Sequence, residues 1–123
     1  MQIREAAENY LEQIYIELQK KDKVRQADIC AAMQYSRPTV SVKLRELRDG
    51  GYIQIDHNGY ISLTENGREI AEGLYERHCL LANVLMYLGV DEATAREDAC
   101  KIEHDLSRES FEKIRACYRK KIR

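Results

Sequence analysis

The chain has 123 residues, 44% of them apolar, with one Pro and six Gly; that is enough for one compact domain or two very small ones, and it argues against disorder. No apolar run approaches the ~20 residues of a membrane helix, and the charged start, Met1 to Tyr10, does not fit a secretory signal. The expectation is therefore a cytoplasmic protein with no membrane partner. The net charge of -1 hides segregation: residues 20–68 carry nine bases and six acids, whereas residues 69–105 carry three bases and nine acids. The first stretch suits an anionic partner such as DNA and the second suits cations, although solvated helix faces would look the same.

The elements follow in chain order. Ala7, Tyr10, Leu11, Ile14, Tyr15 and Leu18 fall at helical spacing with one buried face. After the polar break Lys20-Lys21-Asp22-Lys23, a short helix runs from Arg25 to Met33, with Ala27, Cys30 and Ala31 as its expected inner face. Ser36 suits the N-cap of a third helix and Pro38 its first turn. That helix runs to about Arg48, turns Val40, Leu44 and Leu47 inward, and stops at Asp49-Gly50-Gly51. The period then changes. Tyr52–Asp56 and Tyr60–Leu63 read as two strands, joined by a two-residue turn at Asn58-Gly59 in which both residues would need positive φ. Thr64 caps a long helix whose stripe is Ile70, Leu74, Leu81, Leu85 and Leu88, ended by Gly89. Asp91 caps a fifth helix, with Ala95, Ala99, Ile102 and Leu106 inward. Ser107 caps a sixth, with Phe111, Ile114 and Tyr118 as its stripe.

Helix, helix, short turn, helix, β-hairpin is the order of a winged helix-turn-helix, whose third helix enters the major groove while the hairpin tip approaches the backbone or minor groove. The outward face of that helix offers Ser36, Arg37, Pro38, Thr39, Ser41, Val42, Lys43 and Arg45. Arg37 can fork onto guanine, Lys43 suits a phosphate, and Thr39 and Val42 can meet a thymine methyl. Arg25, with His57 and Asn58 at the wing tip, completes the candidate DNA contacts.

In the acidic stretch, Cys100, Glu103 and His104 lie at i, i+3 and i+4, which on a continuous helix brings all three to one face. A thiolate, a carboxylate and an imidazole there make a transition-metal triad; a small core Cys beside two solvent-facing side chains is the plainer alternative. His78 sits on the stripe Leu74, His78, Leu81, Leu85, where an apolar residue is expected. It is either a hydrogen-bonded core imidazole or a ligand facing the fifth helix. The four cysteines, Cys30, Cys79, Cys100 and Cys117, show no CxxC pairing and are expected as free thiols.

Five segments, taken together, resemble the diphtheria-toxin-repressor family of iron- and manganese-dependent regulators. They are Glu8-Asn9-Tyr10-Leu11-Glu12-Gln13-Ile14-Tyr15, Ser36-Arg37-Pro38-Thr39-Val40-Ser41, Leu63-Thr64-Glu65-Asn66-Gly67, Arg77-His78, and Cys100 with Glu103-His104. The likeness spans nearly the whole chain, which ends near Arg123 and so resembles the short branch without the C-terminal SH3-like domain. It implies a mainly α fold with a small β-hairpin: a winged helix-turn-helix over 1–72, and a helical metal-binding and dimerisation domain over 73–123. It further implies a homodimer on double-stranded operator DNA, no small organic substrate, and a metal site drawn from Asn9, Glu12, His78, Cys100, Glu103 and His104. Two departures stand out. The position of Asn9 is Met in the iron branch and Asp in the manganese branch. The position of Cys100 is Glu in manganese regulators, whereas Glu12 matches them. The iron branch's ancillary site maps onto Ala82 and Arg96, which do not ligate, leaving only His78 of that set. Softness at a thiolate puts iron(II) first and manganese(II) second, with zinc(II) or cobalt(II) as in-vitro substitutes.

The implied mechanism is that metal bound by ligands from helix 1 and from the later helices fixes the spacing of two recognition helices, which must lie about 34 Å apart or a multiple of it. Repression is the family's usual role. Two rivals follow from the residues alone: a metal-independent winged-helix regulator whose cysteines sense oxidation, and a metalloenzyme using Glu103 as a base. A protein-interaction module without DNA contact is the third.

Overall fold

The computed structural model describes residues 5–122. Residues 1–4 of the expected first domain and residue 123 of the second lie outside the described residues. The chain forms two compact units that divide between Gly73 and Leu74. Six helices and a two-stranded antiparallel hairpin make it mainly α.

In the first unit, α1 (Glu5–Lys20) buries Tyr10, Leu11 and Ile14 on one face. The second helix, α2 (Gln26–Met33), starts one residue later than expected because Arg25 is its extended N-cap residue, whose N–H donates to the Asp28 carboxylate at 2.8 Å. Its inner face also differs from the expectation. Ile29 is fully buried, with Cys30 and Met33 packed beside the core, while Ala27 and Ala31 are exposed. Ile29 buries far more apolar area than either alanine and so sets the rotation of this short helix. The third helix, α3 (Arg37–Asp49), has Ser36 as N-cap accepting from the Thr39 N–H, Pro38 in its first turn, and Val40, Leu44 and Leu47 buried.

Strands β1 (Ile53–Ile55) and β2 (Ile61–Leu63) pair with Ile53 opposite Leu63 and Ile55 opposite Ile61. Their connection corrects the two-residue turn. Only Gly59 has positive φ, at 85°, and Gly59 N–H donates to the Asp56 carbonyl while Asp56 N–H donates to Tyr60. This is a three-residue loop, a turn over His57-Asn58 closed by a left-handed glycine. The Asp56 carboxylate accepts from the Tyr60 and Asn58 backbone N–H groups, both at 2.9 Å. That gives Asn58 an ordinary conformation and leaves Gly59 alone to carry the reversal. Val24, fully buried, adds a one-residue antiparallel bridge to Ile61.

Helix α4 (Glu65–Tyr87) straddles the division in sequence. Thr64 Oγ1 accepts from the Gly67 N–H and donates to the Gly51 carbonyl at 2.7 Å. A Cβ on Gly67 would fall 2.0 Å from the Tyr52 carbonyl oxygen, so only glycine lets this first turn lie against the hairpin.

In the second unit, Leu81, Ala82 and Ala99 form a core against which Met86, Leu106 and Ile114 pack. Helix α5 (Glu92–Ile102) is capped by Asp91, which accepts from the Ala93 N–H. Helix α6 (Arg108–Ile122) is capped by Ser107, which accepts from the Ser110 N–H. Two expected inward residues are exposed instead: Leu88, beyond the end of α4, and Ile102, the last residue of α5. Neither has a further helical turn to hold it against the core. Among the described residues, no helix is long and apolar enough to cross a membrane.

Candidate metal centre and nucleic-acid interface

The acidic stretch yields a cluster that keeps only part of the expected helical face. α5 ends at Ile102, so Glu103 is its C-cap and His104 lies in the following turn. The ligand atoms that converge are those of His78 from α4, Cys100 from the last turn of α5, and Glu103, all within 4.8 Å of one another. His78 Nδ1 stands 3.2 Å from Glu103 Oε2. His104 Nε2 stands 3.4 Å from Glu103 Oε1, its side chain almost fully covered.

Glu103 is 1% exposed, and its Oε1 has no hydrogen bond among the described residues. A buried carboxylate oxygen left so is costly unless positive charge meets it. Imidazole, thiolate and carboxylate are the donor types that transition ions take together. On both counts the residues fit a divalent transition ion.

Arg77, next to His78, builds the turn that carries Glu103. Its guanidinium donates to the backbone carbonyls of Glu103 at 3.0 Å and Leu106 at 2.9 Å. It also lies over the buried Phe111 ring, 5.0 Å from the centroid, and Arg115 approaches that ring at 5.6 Å. Arg77 thus ties α4, the turn after α5, and α6 together, a role that the sequence reading did not assign; its position beside His78 was the available signal.

Of the other expected ligands, Glu12 is buried and Asn9 half-buried on α1. At the positions of the ancillary site, Ala82 is core and Arg96 pairs with Glu92 at 3.1 Å. The cysteines form no disulfide; Cys30 and Cys79 are half-buried, and Cys100 and Cys117 are exposed.

The expected DNA face is open. Ser36, Arg37, Pro38, Thr39, Val42 and Arg45 are exposed along α3, and Ser41 and Lys43 are half-buried beside them. Val42 is 52% exposed, an apolar side chain on a surface where its burial needs a partner. Several polar groups already have intramolecular contacts. Ser36 caps the helix, Arg45 reaches Ser41 at 3.5 Å, and Lys43 pairs with Glu46 at 3.0 Å. His57 and Asn58 are exposed at the wing tip. Arg25 stacks on Tyr60, a wing residue absent from the expected contacts.

Two family models match the chain. The model of the iron dependent repressor N-terminal DNA binding domain matches residues 2–61, and that of its metal binding and dimerisation domain matches residues 64–120. The transcriptional regulator MntR of Salmonella typhimurium is 35% identical over 109 residues, 89% of this chain and 69% of that protein. Among solved structures, the manganese regulator SloR superposes with a TM-score of 0.81 at 29% identity over 97% of this chain and 55% of that chain. A manganese-dependent transcriptional repressor in complex with manganese gives 0.80 at 30% identity, over 89% of this chain and 51% of its own. The chain thus spans about half the length of those solved chains.

Proposed function

The chain belongs to the iron-dependent repressor family of metal-dependent transcription regulators, and from that premise we propose that it is a homodimeric repressor of metal-homeostasis genes whose operator binding requires a divalent ion. The observation that carries the reading is the convergence of His78, Cys100 and the buried Glu103. These three would hold the ion, with Glu103 as its buried carboxylate donor. Asn9, Glu12 and His104 join the proposed ligand set on the family resemblance.

Bound there, the ion supplies positive charge to a carboxylate and a thiolate and so favours the conformation in which its ligands are gathered. On this reading occupancy raises the affinity of the first unit for DNA. Linkage then makes the coupling reciprocal: operator DNA tightens metal binding by the factor by which metal tightens DNA binding. Arg37, Thr39, Val42 and Arg45 would read base edges while Ser36, Ser41, Lys43, Arg25, His57 and Asn58 hold the backbone. The dimer would form through the second unit, where Val84, Tyr87, Leu88, Ile114, Cys117 and Tyr118 line an apolar groove.

Cys100 ranks iron(II) above manganese(II) as the co-repressor, because a thiolate favours the softer ion; the names of the relatives speak for manganese. Anaerobic selection of binding sites from random duplex DNA, with iron(II), with manganese(II) and with chelator, tests the reading. A two-fold symmetric site enriched only with metal is expected, more strongly with iron(II). Equal enrichment with chelator would remove the metal switch.

A further inference from the structure

Val24 bridges Ile61 backbone to backbone, its carbonyl accepting from the Ile61 N–H at 2.8 Å, and both side chains are buried. In extended chain, neighbours of an inward residue point outward. Lys23 and Arg25 therefore leave on the opposite side from Val24, as Tyr60 does from Ile61. There the three meet: Lys23 Nζ lies 5.1 Å from the Tyr60 ring centroid and Arg25 Cζ lies 4.5 Å from it, while an Arg25 guanidinium N–H donates to the Tyr60 hydroxyl at 3.1 Å.

Both distances are within the range of cation–π attraction. Nearby bases are matched with acids, Lys21 with Asp28 and Arg48 with Asp49. The Lys23 and Arg25 side chains form no ion pair among the described residues, although the Asp28 carboxylate lies beside the Arg25 backbone; the contact that both cations share is the Tyr60 ring. Such an arrangement leaves the cations' remaining N–H donors turned to solvent, at the root of the wing and at the start of α2.

We propose that Tyr60 is a positioning residue which holds Lys23 and Arg25 as a paired clamp for a DNA phosphate beside the wing. The proposal rests on the DNA-binding reading above. Its distinctive consequence is electrostatic. Each lysine or arginine that neutralises a phosphate releases condensed counterion and adds about 0.9 to the slope of log affinity against log salt. Removing the ring would forfeit that contribution without removing any charge.

The test measures binding of the full chain, saturated with manganese(II), to a random-sequence DNA duplex between about 50 and 200 mM salt. Lys23→Gln and Arg25→Gln are each expected to reduce the slope by about 0.9. Tyr60→Leu is expected to reduce it by about 1 to 2 with net charge unchanged, whereas Tyr60→Phe, which keeps the ring, holds the wild-type slope. Tyr60→Thr, suited to extended chain, repeats the measurement if the leucine variant unfolds. A folded ring-less variant with the wild-type slope overturns the proposal, as does a wild-type slope in both glutamine variants. A wild-type chain that binds no duplex at any salt overturns the DNA-binding reading itself and this proposal with it.

Discussion

His78 Nδ1 stands 3.2 Å from Glu103 Oε2, joining α4 to the residue that ends α5. The carboxylate between His78 and His104 is buried, and its second oxygen lacks a hydrogen bond among the described residues. On the proposed reading, a group in that state serves metal binding at the expense of the apo fold. Glu103→Gln keeps the shape and removes the charge. It is expected to lower metal affinity by at least about 100-fold, the upper range for loss of even an outer-shell partner, while the apo protein melts no lower than wild type. Competition against a fluorescent chelator and apo thermal unfolding report the two quantities. Loss of apo stability with unchanged metal affinity would make Glu103 a structural residue.

Arg77 supports that carboxylate through the backbone. Two carbonyls, those of Glu103 and Leu106, accept from one guanidinium. Arg77→Met keeps a long stem over Phe111 but leaves both carbonyls unsatisfied. At about 1.5 kcal/mol for each charge-assisted bond, discounted for partial exposure, the expected cost is about 2 kcal/mol in urea unfolding of the apo protein. Arg77→Lys, able to serve one carbonyl well, is expected to fall about halfway. Equal stability of all three proteins would remove Arg77 from the account of the turn.

Asp28 gives the first unit an acid-sensitive contact. The Arg25 backbone N–H first, and the Lys21 ammonium next, hold its carboxyl below the usual carboxylate range. A depressed folded value means that the contribution is fully present above the unfolded value of about 3.9 and is lost as pH falls through the folded one. Asp28→Ala is expected to cost about 1 kcal/mol at neutral pH, and the two proteins should draw together in stability as the pH falls through the depressed folded value. Urea unfolding of both at neutral and acid pH checks this; a constant difference would contradict it.

Gly67 is where a single Cβ decides a contact. Its added Cβ would lie 2.0 Å from the Tyr52 carbonyl oxygen, which is backbone and cannot swing aside. Gly67→Ala is expected to destabilise the protein by about 3 kcal/mol, at the high end of overpacking costs. Gly73→Ala, with nothing within 4 Å of its Cβ, should stabilise α4 slightly. Thermal unfolding of the pair decides the matter, and equal melting temperatures would count against the close approach.

What sequence could reveal depended on the range of the determining contact. Helix starts were legible because Ser36, Thr64, Asp91 and Ser107 cap through bonds to residues two or three positions away. The wing was legible from its alternation, but its turn was not. Asn58-Gly59 suits a two-residue loop, and only the Asp56 carboxylate, which takes the Asn58 and Tyr60 N–H groups, selects the longer one. Spacing accounts for Cys100 and Glu103 falling together, because Glu103 keeps helical backbone and its N–H still reaches the Ala99 carbonyl, but it does not place His104, which lies in the turn beyond. Spacing assumes a continuous helix, whereas α5 stops at Ile102 and two carbonyls beyond it turn to Arg77. Arg77 and Tyr60 meet partners 26 and 35 positions away, which no local periodicity identifies; the place of Arg77 beside His78 was the one local hint.

Cys100 is the residue on which the proposed ion preference turns. It is exposed on the last turn of α5, with its sulfur in the cluster of His78 and Glu103. A thiolate adds a soft donor, which manganese(II) uses poorly, and manganese(II) already stands low in the affinity order of divalent ions. Replacing it by a carboxylate substitutes a hard donor of the same formal charge. Cys100→Glu is therefore expected to weaken binding of cobalt(II) or iron(II) by about 10-fold or more relative to manganese(II), comparable to other changes around metal sites. It should also abolish the sulfur-to-metal charge-transfer absorption of the cobalt(II)-loaded protein. The spectrum reads the ligand directly and the competition reads the preference. A Cys100→Glu protein with the wild-type spectrum and ranking would remove the thiolate from the site, and with it the argument for iron(II) over manganese(II).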